Sequence, residues 1–416
     1  MNSPVPGDLD LIGRVAELAT LSARLDEALG GAGQLICLAG EPGIGKTRLA
    51  AALAQRARER GVRVLWGRCS EDPGAPAFWP WLQILRAYVR DLDADVLAAQ
   101  LGPGAAEIAQ VVSEVRDRVP LLPALEPLAP EQARFRFFES LTAFLARAAR
   151  AQPLLLALDD LHWADASSLL LLEFLGSELR QLPLLVVGTV REAGIERGHP
   201  LVHTLAALTR SGACDRLVLD GLSERDVALC LTAVTGVEPT PEATAAVRRA
   251  TAGNPFFVIE AARRLASEAL DGAEPTAGSA WRRHSPLAPR QILAYRLDRL
   301  PAACHRVLAI AAVIGHEFGL RELERVADLS EDALLELLDR AELDGVIGAA
   351  PGVVGRYRFR HALIREALYE ELPAARRIRL HRLIARALEQ EYASGSHPYL
   401  GQLAYHFLQA ASAEDA

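Results

Sequence analysis

Short apolar runs alternate with helical patterns over the first 220 residues of the chain. Leucines recur at helical spacing from Leu18 to Leu29. Five apolar runs are short enough to be strands rather than helices: 34–39, 62–66, 154–158, 184–190 and 216–219. Helical patterns lie between them, as over 46–60 and 169–175. Continuous apolar strands that alternate with helices predict an α/β fold whose parallel sheet is buried on both faces.

The same pattern divides the chain into further units. A mostly helical stretch broken by prolines, about 70–152, predicts an insertion in an α/β core of residues 1–221. Beyond this core only helices are predicted, up to a stretch rich in Gly, Ala, Ser and Pro that is typical of a linker. Short helices then close on a hairpin predicted at 345–347 and 357–359, which favours a winged-helix module. The expected bounds are 222–272 for these helices, 273–288 for the linker, 289–375 for the winged-helix domain and 376–416 for a last helical segment.

Composition narrows the class of protein. Of the 416 residues, 50% are apolar and 24% are charged, which is the balance of a folded globular protein of two or three domains. No apolar run reaches the ~18 residues that a membrane span needs, and the N-terminus lacks the basic flank and apolar stretch of a signal peptide. Five scattered cysteines without a CxxC pair are expected to be reduced and buried. We therefore predict a cytoplasmic protein without membrane contact.

Charge bears on whether the protein binds nucleic acid. The net charge of −8 argues against a protein whose whole surface binds nucleic acid. The charge is uneven, however, because residues 356–386 contain nine arginines and three glutamates. Two interpretations stay open. These arginines either lie on solvated helical faces or form a patch that contacts phosphates.

One motif carries nucleotide chemistry. The pattern GxxxxGK[ST] is met, between a predicted strand and a predicted helix, by Gly40, Glu41, Pro42, Gly43, Ile44, Gly45, Lys46 and Thr47. Glycines let the backbone wrap closely around a triphosphate, and the start of the following helix adds N–H donors and a favourable dipole. Lys46 is expected to reach the β- and γ-phosphates, and Thr47 to ligate Mg²⁺. We therefore predict a P-loop that binds ATP or ADP with Mg²⁺, with Arg48 also among the nucleotide-binding residues.

Two strand ends add catalytic candidates. The third apolar run is followed by Asp159 and Asp160, and ligands bind at the carboxyl ends of the strands in such sheets. Asp159 is expected in the Mg²⁺ shell, and Asp160 is placed to orient or deprotonate the attacking water. The fourth run ends at Arg191, whose cation could sense the γ-phosphate and stabilise charge in the transition state. Lys46, Asp160 and Arg191 are the predicted catalytic residues.

With these residues assembled, the chain resembles the STAND class of AAA-type signalling ATPases. The likeness is greatest to the ATPase modules of large LuxR-type transcription regulators and of some bacterial adenylate cyclases. Beyond the P-loop it is carried by Ile12–Leu18, Gly74–Trp81, Leu158–Asp165 and Thr189–Arg191. One departure is Val15, where the family has a glutamate after the arginine. The resemblance implies a P-loop AAA-type ATPase core, a helical lid at 222–272 and a winged-helix domain at 289–375. It also implies that residues 376–416 could open a set of TPR-like repeats.

The resemblance also implies further contacts with the nucleotide. Gly13 and Arg14 belong to an entry motif that packs near the adenine. The Gly-x-Pro segment of the lid has its proline at Pro255, which is expected to touch the base. His361 lies in a motif similar to the histidine motif of the winged helix, which reaches the β-phosphate of ADP and locks a closed state. Arg191 corresponds to the sensor arginine of the family.

The function that the resemblance implies is that of a regulatory ATPase. Relatives use the difference between ATP and ADP as a conformational switch in transcriptional or cyclase-type regulation, and ATP favours self-association or binding of a protein partner. Two other readings stay open: an origin-recognition-like ATPase that grips DNA through its winged helix, supported by the arginines of 356–386, and a phosphotransferase acting on a small substrate. The chain ends about where helical repeats begin in relatives, so the output is expected either on a continuing chain or on another polypeptide.

Overall fold

The computed structural model describes residues 11–71, 75–119, 122–191, 198–270, 293, 297, 300–350, 354–392 and 400–411. The predicted linker at 273–288 and residues 351–353, between the two predicted strands of the hairpin, lie outside these residues. The described part is mostly helical and contains one parallel and one antiparallel sheet. None of the described helices is both long and apolar enough to cross a membrane.

Five parallel strands form the main sheet, in the order β2-β3-β4-β1-β5. Their bounds are β1 Gln34–Gly40, β2 Arg63–Arg68, β3 Leu154–Asp159, β4 Leu184–Arg191 and β5 Cys214–Val218. The predicted α/β fold is thereby confirmed, although β5 begins two residues earlier than predicted and β2 continues two residues further. The register pairs Gly40 with Arg191 and Arg68 with Asp159, so these residues share one edge of the sheet.

Helices cover both faces of this sheet. They are α1 Val15–Leu29, α2 Lys46–Glu59, α3 Trp79–Asp91, α4 Ala94–Leu101, α5 Ala105–Val111, α6 Glu114–Arg118, α7 Pro130–Ala151, α8 Ala166–Glu178 and α9 Pro200–Arg210. Alternate side chains of a strand point to opposite faces. Leu155 and Val187 therefore pack with α1 and α2, whereas Leu156 and Val186 belong to a larger cluster with α3 to α9.

The predicted insertion corresponds to α3 through α7, which lie between β2 and β3. Tyr88 of α3 and Phe144 of α7 are buried and pack edge to face with ring centroids 5.2 Å apart. Trp81 is also buried, and its indole N–H donates to the carbonyl oxygen of Ser168 at 3.1 Å. These contacts fasten the insertion to the sheet as one hydrophobic core.

Three helices follow β5, in the region predicted to form the lid. They are α10 Glu224–Thr235, α11 Pro241–Thr251 and α12 Pro255–Leu270. Leu222, Leu231 and Val258 form a small core of their own, against which Ile12 packs. The break between α11 and α12 passes through Gly253, whose φ of +71° suits a glycine. This break turns the chain back toward the P-loop.

The described residues from 300 onward, here called the C-terminal module, contain α13 to α18 and a small antiparallel sheet of order β6-β8-β7. The bounds are α13 Ala302–Ile314, β6 Glu317–Gly319, α14 Leu320–Ala327, α15 Glu331–Leu343, β7 Ile347–Ala349, β8 Arg356–Phe359, α16 Ala362–Glu370, α17 Ala374–Tyr392 and α18 Leu400–Ala411. The strands β7 and β8 lie where the hairpin was predicted, and β6 is an additional strand that pairs with β8. The winged-helix assignment and the predicted domain bounds stay predictions.

Candidate functional site

The P-loop connects the end of β1 to the start of α2. Gly43 and Gly45 have φ values of +82° and +102°, which glycine adopts without strain. A Cβ atom at Gly43 would come within 2.9 Å of both Asn254 Oδ1 and Phe256 Cβ, so side chains at the start of α12 pack directly on the loop. The loop therefore needs glycine for its own conformation and for the close approach of its neighbours.

Lys46 is the first residue of α2 and is almost fully buried. Its Nζ donates to the carbonyl oxygens of Gly40 at 2.8 Å and Glu41 at 2.9 Å. The ammonium group thus lies inside the curve of the loop and holds it closed. This is the position from which it could meet phosphate oxygens.

Asp159 at the end of β3 accepts hydrogen bonds from two hydroxyl groups. Thr47 Oγ1 donates to its Oδ1 at 2.8 Å, and Thr189 Oγ1 donates to the same oxygen at 2.7 Å. Burial raises the pKa of the Asp159 carboxyl, and the neighbouring charge of Asp160 raises it further, while the two threonines act in the opposite direction. A buried carboxylate in this setting gains by binding a cation.

Asp160 follows directly and has a left-handed backbone, with φ 59° and ψ 46°. Its backbone N–H donates to Thr189 Oγ1 at 2.8 Å, which holds this turn in place. Its carboxylate forms an ion pair with Arg68, whose Nη2 lies 3.2 Å from Oδ2. The candidate base is therefore engaged by an arginine from β2.

His162 lies next to these carboxylates and is buried. Its Nε2 is 3.9 Å from Asp160 Oδ1, and neither ring nitrogen has a hydrogen-bond partner among the described residues. Burial lowers the pKa of His162 to about 3, and the positive charges of Arg191 and Lys46 lower it further. The ring is neutral at physiological pH.

Arg191, the last residue of β4, forms an ion pair with the C-terminal module. Its Nη1 lies 2.7 Å from Glu366 Oε1, and both side chains are largely buried. Arg365, the residue before Glu366, forms a second ion pair with Glu71 of the core and donates from Nη1 to the carbonyl oxygen of Ala312 at 3.2 Å. The sensor candidate is thus held by a carboxylate of the protein itself.

Arg14 has a buried structural position beside the P-loop. Its Nη2 donates to the carbonyl oxygens of Ile44 at 3.0 Å and Asp220 at 2.6 Å, and its Nη1 pairs with Glu17. Gly13 before it has a φ of +72°. Arg14 therefore joins the P-loop to the chain after β5. The adenine contact expected of both residues stays a prediction.

Side chains from two further regions meet at the P-loop glycine. Asn254 is buried, donates from Nδ2 to the carbonyl oxygen of Pro42 at 2.9 Å and accepts from the backbone N–H of Phe256. The ring of His361 stacks on that of Phe256 with centroids 4.0 Å apart, and its Cε1 would lie 3.5 Å from a Cβ at Gly43. Pro255, which lies between Asn254 and Phe256 in the sequence, is the first residue of α12. The predicted contact of Pro255 with a base stays a prediction.

The residues present fit a magnesium nucleotide. Thr47 Oγ1 and Asp159 Oδ1 are hard oxygen donors 2.8 Å apart, of the kind that Mg²⁺ prefers. They lie beside the N-terminus of α2, whose backbone N–H groups and dipole favour phosphate, together with the Lys46 ammonium group. Thr47 is exposed, so a ligand can reach it.

Comparison with known families agrees with this geometry. Residues 10–187 match the family of AAA ATPase domains. This matching part of the chain is here called the AAA ATPase domain. Its parallel sheet and P-loop are those of the P-loop NTPases, and such a domain binds nucleotide, usually with Mg²⁺.

Individual relatives of the AAA ATPase domain are distant. An uncharacterized protein of Rhizobium meliloti (strain 1021) is 27% identical over 98% of this chain and 40% of its own length. A STAND protein with a tetratricopeptide repeat sensor from Pyrococcus horikoshii has 15% identity and a TM-score of 0.50, over 94% of this chain and 48% of that one. Cdc6p from Pyrobaculum aerophilum has 14% identity over 90% of this chain and 98% of that one; its TM-score of 0.37 is too low to carry an argument. The chain spans about half or less of the first two relatives.

Four residues of the site were not assigned from the sequence: Arg68, Thr189, Asn254 and Glu366. Thr189 carried a local signal, because it is a hydroxyl residue in an otherwise apolar strand. Asn254 lies inside the Gly-x-Pro segment but was given no role. Arg68 and Glu366 carry no local signal, since their partners Asp160 and Arg191 are 92 and 175 residues away.

Proposed function

We propose that this chain is an ATPase in which the nucleotide controls the docking of the C-terminal module. ADP holds the module against the AAA ATPase domain, and ATP releases it. Hydrolysis of ATP to ADP and phosphate then resets the closed arrangement. This is the ADP-off, ATP-on switch that the resemblance to STAND ATPases implies.

Nucleotide binding is assigned to the P-loop. Its backbone N–H groups and Lys46 hold the phosphates, while Thr47 and Asp159 hold Mg²⁺. The metal, when bound, neutralises charge on the phosphate oxygens. Arg14 supports the loop by donating to the carbonyl oxygen of Ile44, and Arg48 is proposed as a further nucleotide-binding residue.

Two residues required for hydrolysis are engaged elsewhere in the docked arrangement. Asp160 is proposed to orient or deprotonate the attacking water, yet Arg68 holds its carboxylate. Arg191 is proposed to stabilise charge on the transferred phosphoryl group, yet Glu366 holds its guanidinium. Slow hydrolysis while the module is docked follows from this arrangement.

The observation that carries the proposal is the position of α16. His361, its N-cap residue, lies against the P-loop glycine Gly43, and Glu366 one turn further pairs with Arg191. One helix of the C-terminal module therefore contacts the P-loop at its start and Arg191 at its middle. A change at the P-loop or at Arg191 would therefore act directly on the docked module.

The energetics required are modest. A nucleotide can shift the balance between docked and released states only by its difference in affinity for them, typically about 1–3 kcal/mol. A γ-phosphate that draws Arg191 away from Glu366 would supply such a difference, because hydrogen bonds to charged groups contribute ~1.5–3 kcal/mol. A role in transcriptional or cyclase-type regulation is proposed on the resemblance alone.

Direct DNA binding receives less support from the structure. Of the arginines at 356–386, Arg360 donates to the carbonyl oxygen of Ile347 and Arg365 pairs with Glu71. The stretch therefore does not present all its charge to solvent. Duplex DNA should leave the protein unbound at low salt, since phosphate contacts are strongest there.

The first experiment is to denature freshly purified protein and identify the released nucleotide by chromatography. We expect close to one ADP per chain, because His361 of the docked module lies against Gly43 of the P-loop. His361→Ala should reduce the ADP retained, and His203→Ala, on an exposed position of α9, should leave it unchanged. An empty site that turns over added ATP rapidly would contradict the switch while leaving the ATPase assignment intact.

A further inference from the structure

A cavity of about 420 Å³ lies between the AAA ATPase domain and the C-terminal module. Asp160 and Arg191 reach it from the core, but its described lining contains no residue of the P-loop 40–47. Its volume falls within the ~300–1,000 Å³ of ligand pockets. The cavity is therefore of metabolite size, and it lies beside the P-loop at the side where Asp160 and Arg191 are proposed to act.

Both walls of the cavity carry arginines. Arg68 and Arg191 come from strand ends of the core, and Arg356 and Arg365 come from β8 and α16. Three of these four have carboxylate partners: Arg68 with Asp160, Arg365 with Glu71 and Arg191 with Glu366. Arg356 forms no ion pair with any residue that the structure describes, although the carboxylate of Glu317 also lines the cavity.

Three buried nitrogen atoms of the lining lack hydrogen-bond partners among the described residues. They are His316 Nδ1, Arg356 Nε and Arg365 Nε. Buried polar groups are nearly always satisfied, and leaving one unsatisfied is costly. Two of these atoms are N–H donors of guanidinium groups, which bind phosphate and carboxylate oxygens in preference to other acceptors.

His316 contributes an uncharged ring to the lining of the cavity. Burial lowers the pKa of His316 to about 3, and the charges of Arg68 and Arg365 lower it further. The histidine is therefore neutral and can offer either a donor or an acceptor. The neutral histidine and the guanidinium group of Arg356, each with an unsatisfied buried nitrogen atom, can together bind the oxygen atoms of an anion.

We propose that this cavity binds the phosphate group of a small organic phosphate. Arg356, Arg365 and His316 would hold the phosphate oxygens. A water molecule takes up about 30 Å³ of liquid, and a phosphate ion is only a few times larger. A bare phosphate ion would therefore leave most of the cavity volume unfilled. Trp79, Trp163 and Tyr405 line the remainder and offer flat apolar surface to the organic part.

A ligand here would act on the switch, and this step depends on the proposed function. Its binding site exists only when the C-terminal module is docked, because the two walls belong to different parts of the chain. Such a ligand binds the docked state selectively and must therefore favour it. The organic phosphate should slow the release of ADP.

The test uses phenyl phosphate as the probe and inorganic phosphate as its comparison, on full-length chain saturated with ADP so that the P-loop is filled. Binding is followed as the rise in thermal unfolding temperature, at constant ionic strength. We expect a saturable rise with phenyl phosphate. Arg356→Gln should weaken binding by about tenfold or more, the scale of one charge-assisted hydrogen bond. His316→Ala should weaken it too, while Arg379→Gln, exposed on α17, should bind as the wild type does.

Each outcome of this binding test either supports or contradicts the proposed site. A rise that does not saturate, or that is equal in Arg356→Gln, would overturn the site. So would a rise that disappears as ADP is increased, because the probe would then occupy the P-loop. Equal affinity for both probes would assign the site to free phosphate, and tighter binding of phenyl phosphate to an organic phosphate. The titration requires neither hydrolysis nor switching, so it stands if the proposed function fails; only the slower release of ADP depends on both.

Discussion

Arg191 Nη1 lies 2.7 Å from Glu366 Oε1, an ion pair that joins the last residue of a core strand to a helix of the C-terminal module. The arginine is 15% exposed and the glutamate 33%, so water screens this pair less than a surface one. A second pair, Arg365 with Glu71, lies beside it. The Arg191–Glu366 ion pair can form only while the module is docked, so its presence reports the docked state.

Glu366→Gln should favour release of the module. The amide keeps the shape of the carboxylate but loses its charge, so Arg191 is held less strongly and becomes available to a γ-phosphate. We expect ADP to dissociate about tenfold faster, within the usual range of coupling between sites, and ATP hydrolysis to speed up. Stopped-flow release of a fluorescent ADP analogue measures the first effect. Glu336→Gln, exposed on α15, is the matched control, and equal rates in both variants would refute the role of Glu366.

Lys46→Ala should abolish tight nucleotide binding. The side chain is buried, and its ammonium group lies where the loop curves, 2.8 Å from the carbonyl oxygen of Gly40. Losing a charged donor of this kind costs about 1.5–3 kcal/mol, or roughly 10- to 100-fold in affinity. Calorimetric titration with ATP measures the change. Arg56→Ala, on the same helix, should bind normally, and retained ATP affinity in Lys46→Ala would overturn the assignment of the site.

Thr189→Val should impair the use of Mg²⁺. The hydroxyl donates to Asp159 and accepts from the backbone of Asp160, so its loss leaves both carboxylate residues less fixed. Valine has nearly the same shape, which limits other disturbance. We expect a several-fold higher Mg²⁺ concentration for half-maximal ATP binding and slower hydrolysis. Thr204→Val, buried in α9, tests for a general effect of removing a hydroxyl group, and an unchanged Mg²⁺ requirement in Thr189→Val would count against this role.

Asn254→Ala should weaken the packing of the start of α12 against the P-loop. The amide is buried and bonds to the carbonyl oxygen of Pro42, so its removal leaves that acceptor unsatisfied at a cost of about 1–3 kcal/mol. The unfolding temperature without nucleotide should fall. The stabilisation gained from ADP should fall as well, and this second effect is the specific one. Gln55→Ala on the exposed side of α2 should change neither.

Acid should destabilise the C-terminal module through two buried histidines. His381 and His406 lie with their Nδ1 atoms 2.8 Å apart, and burial lowers their pKa values to about 4 and about 3, with Arg377 adding to the first and His381 to the second. The unfolded chain takes up these protons near pH 6.5. Stability from the neutral rings is therefore complete above pH 6.5 and is lost as the pH falls below it, by at most ~1.4 kcal/mol per unit and ring.

Urea unfolding at pH 7.5 and pH 5.5 measures this loss. His406→Leu should show a smaller fall in the free energy of unfolding between the two pH values, whereas His203→Gln, at an exposed position, should match the wild type. A wild-type free energy that is the same at both pH values would contradict the argument.

The sequence predicted those features that depend on neighbouring residues. The P-loop, Asp159 and Asp160 each lie at the end of an apolar run, and a parallel sheet brings such ends to one edge. The third strand of the small sheet, Glu317–Gly319, was missed because three residues between two helices carry no periodicity. The pairing of Arg68 with Asp160 and of Arg191 with Glu366 depends on how distant segments pack, which no local pattern encodes.

The order of two adjacent residues in α16 favours one orientation of the docked module. Arg365 and Glu366 are adjacent and opposite in sign, and the core presents Glu71 and Arg191 to them in matching order. A helix rotated or shifted by one residue would bring like charges together, and like-charge contacts reject a wrong arrangement. Exchanging the two letters would leave the composition and net charge of the chain untouched, yet it would set arginine against arginine and glutamate against glutamate. The information that orients the docked module therefore resides in sequence order alone.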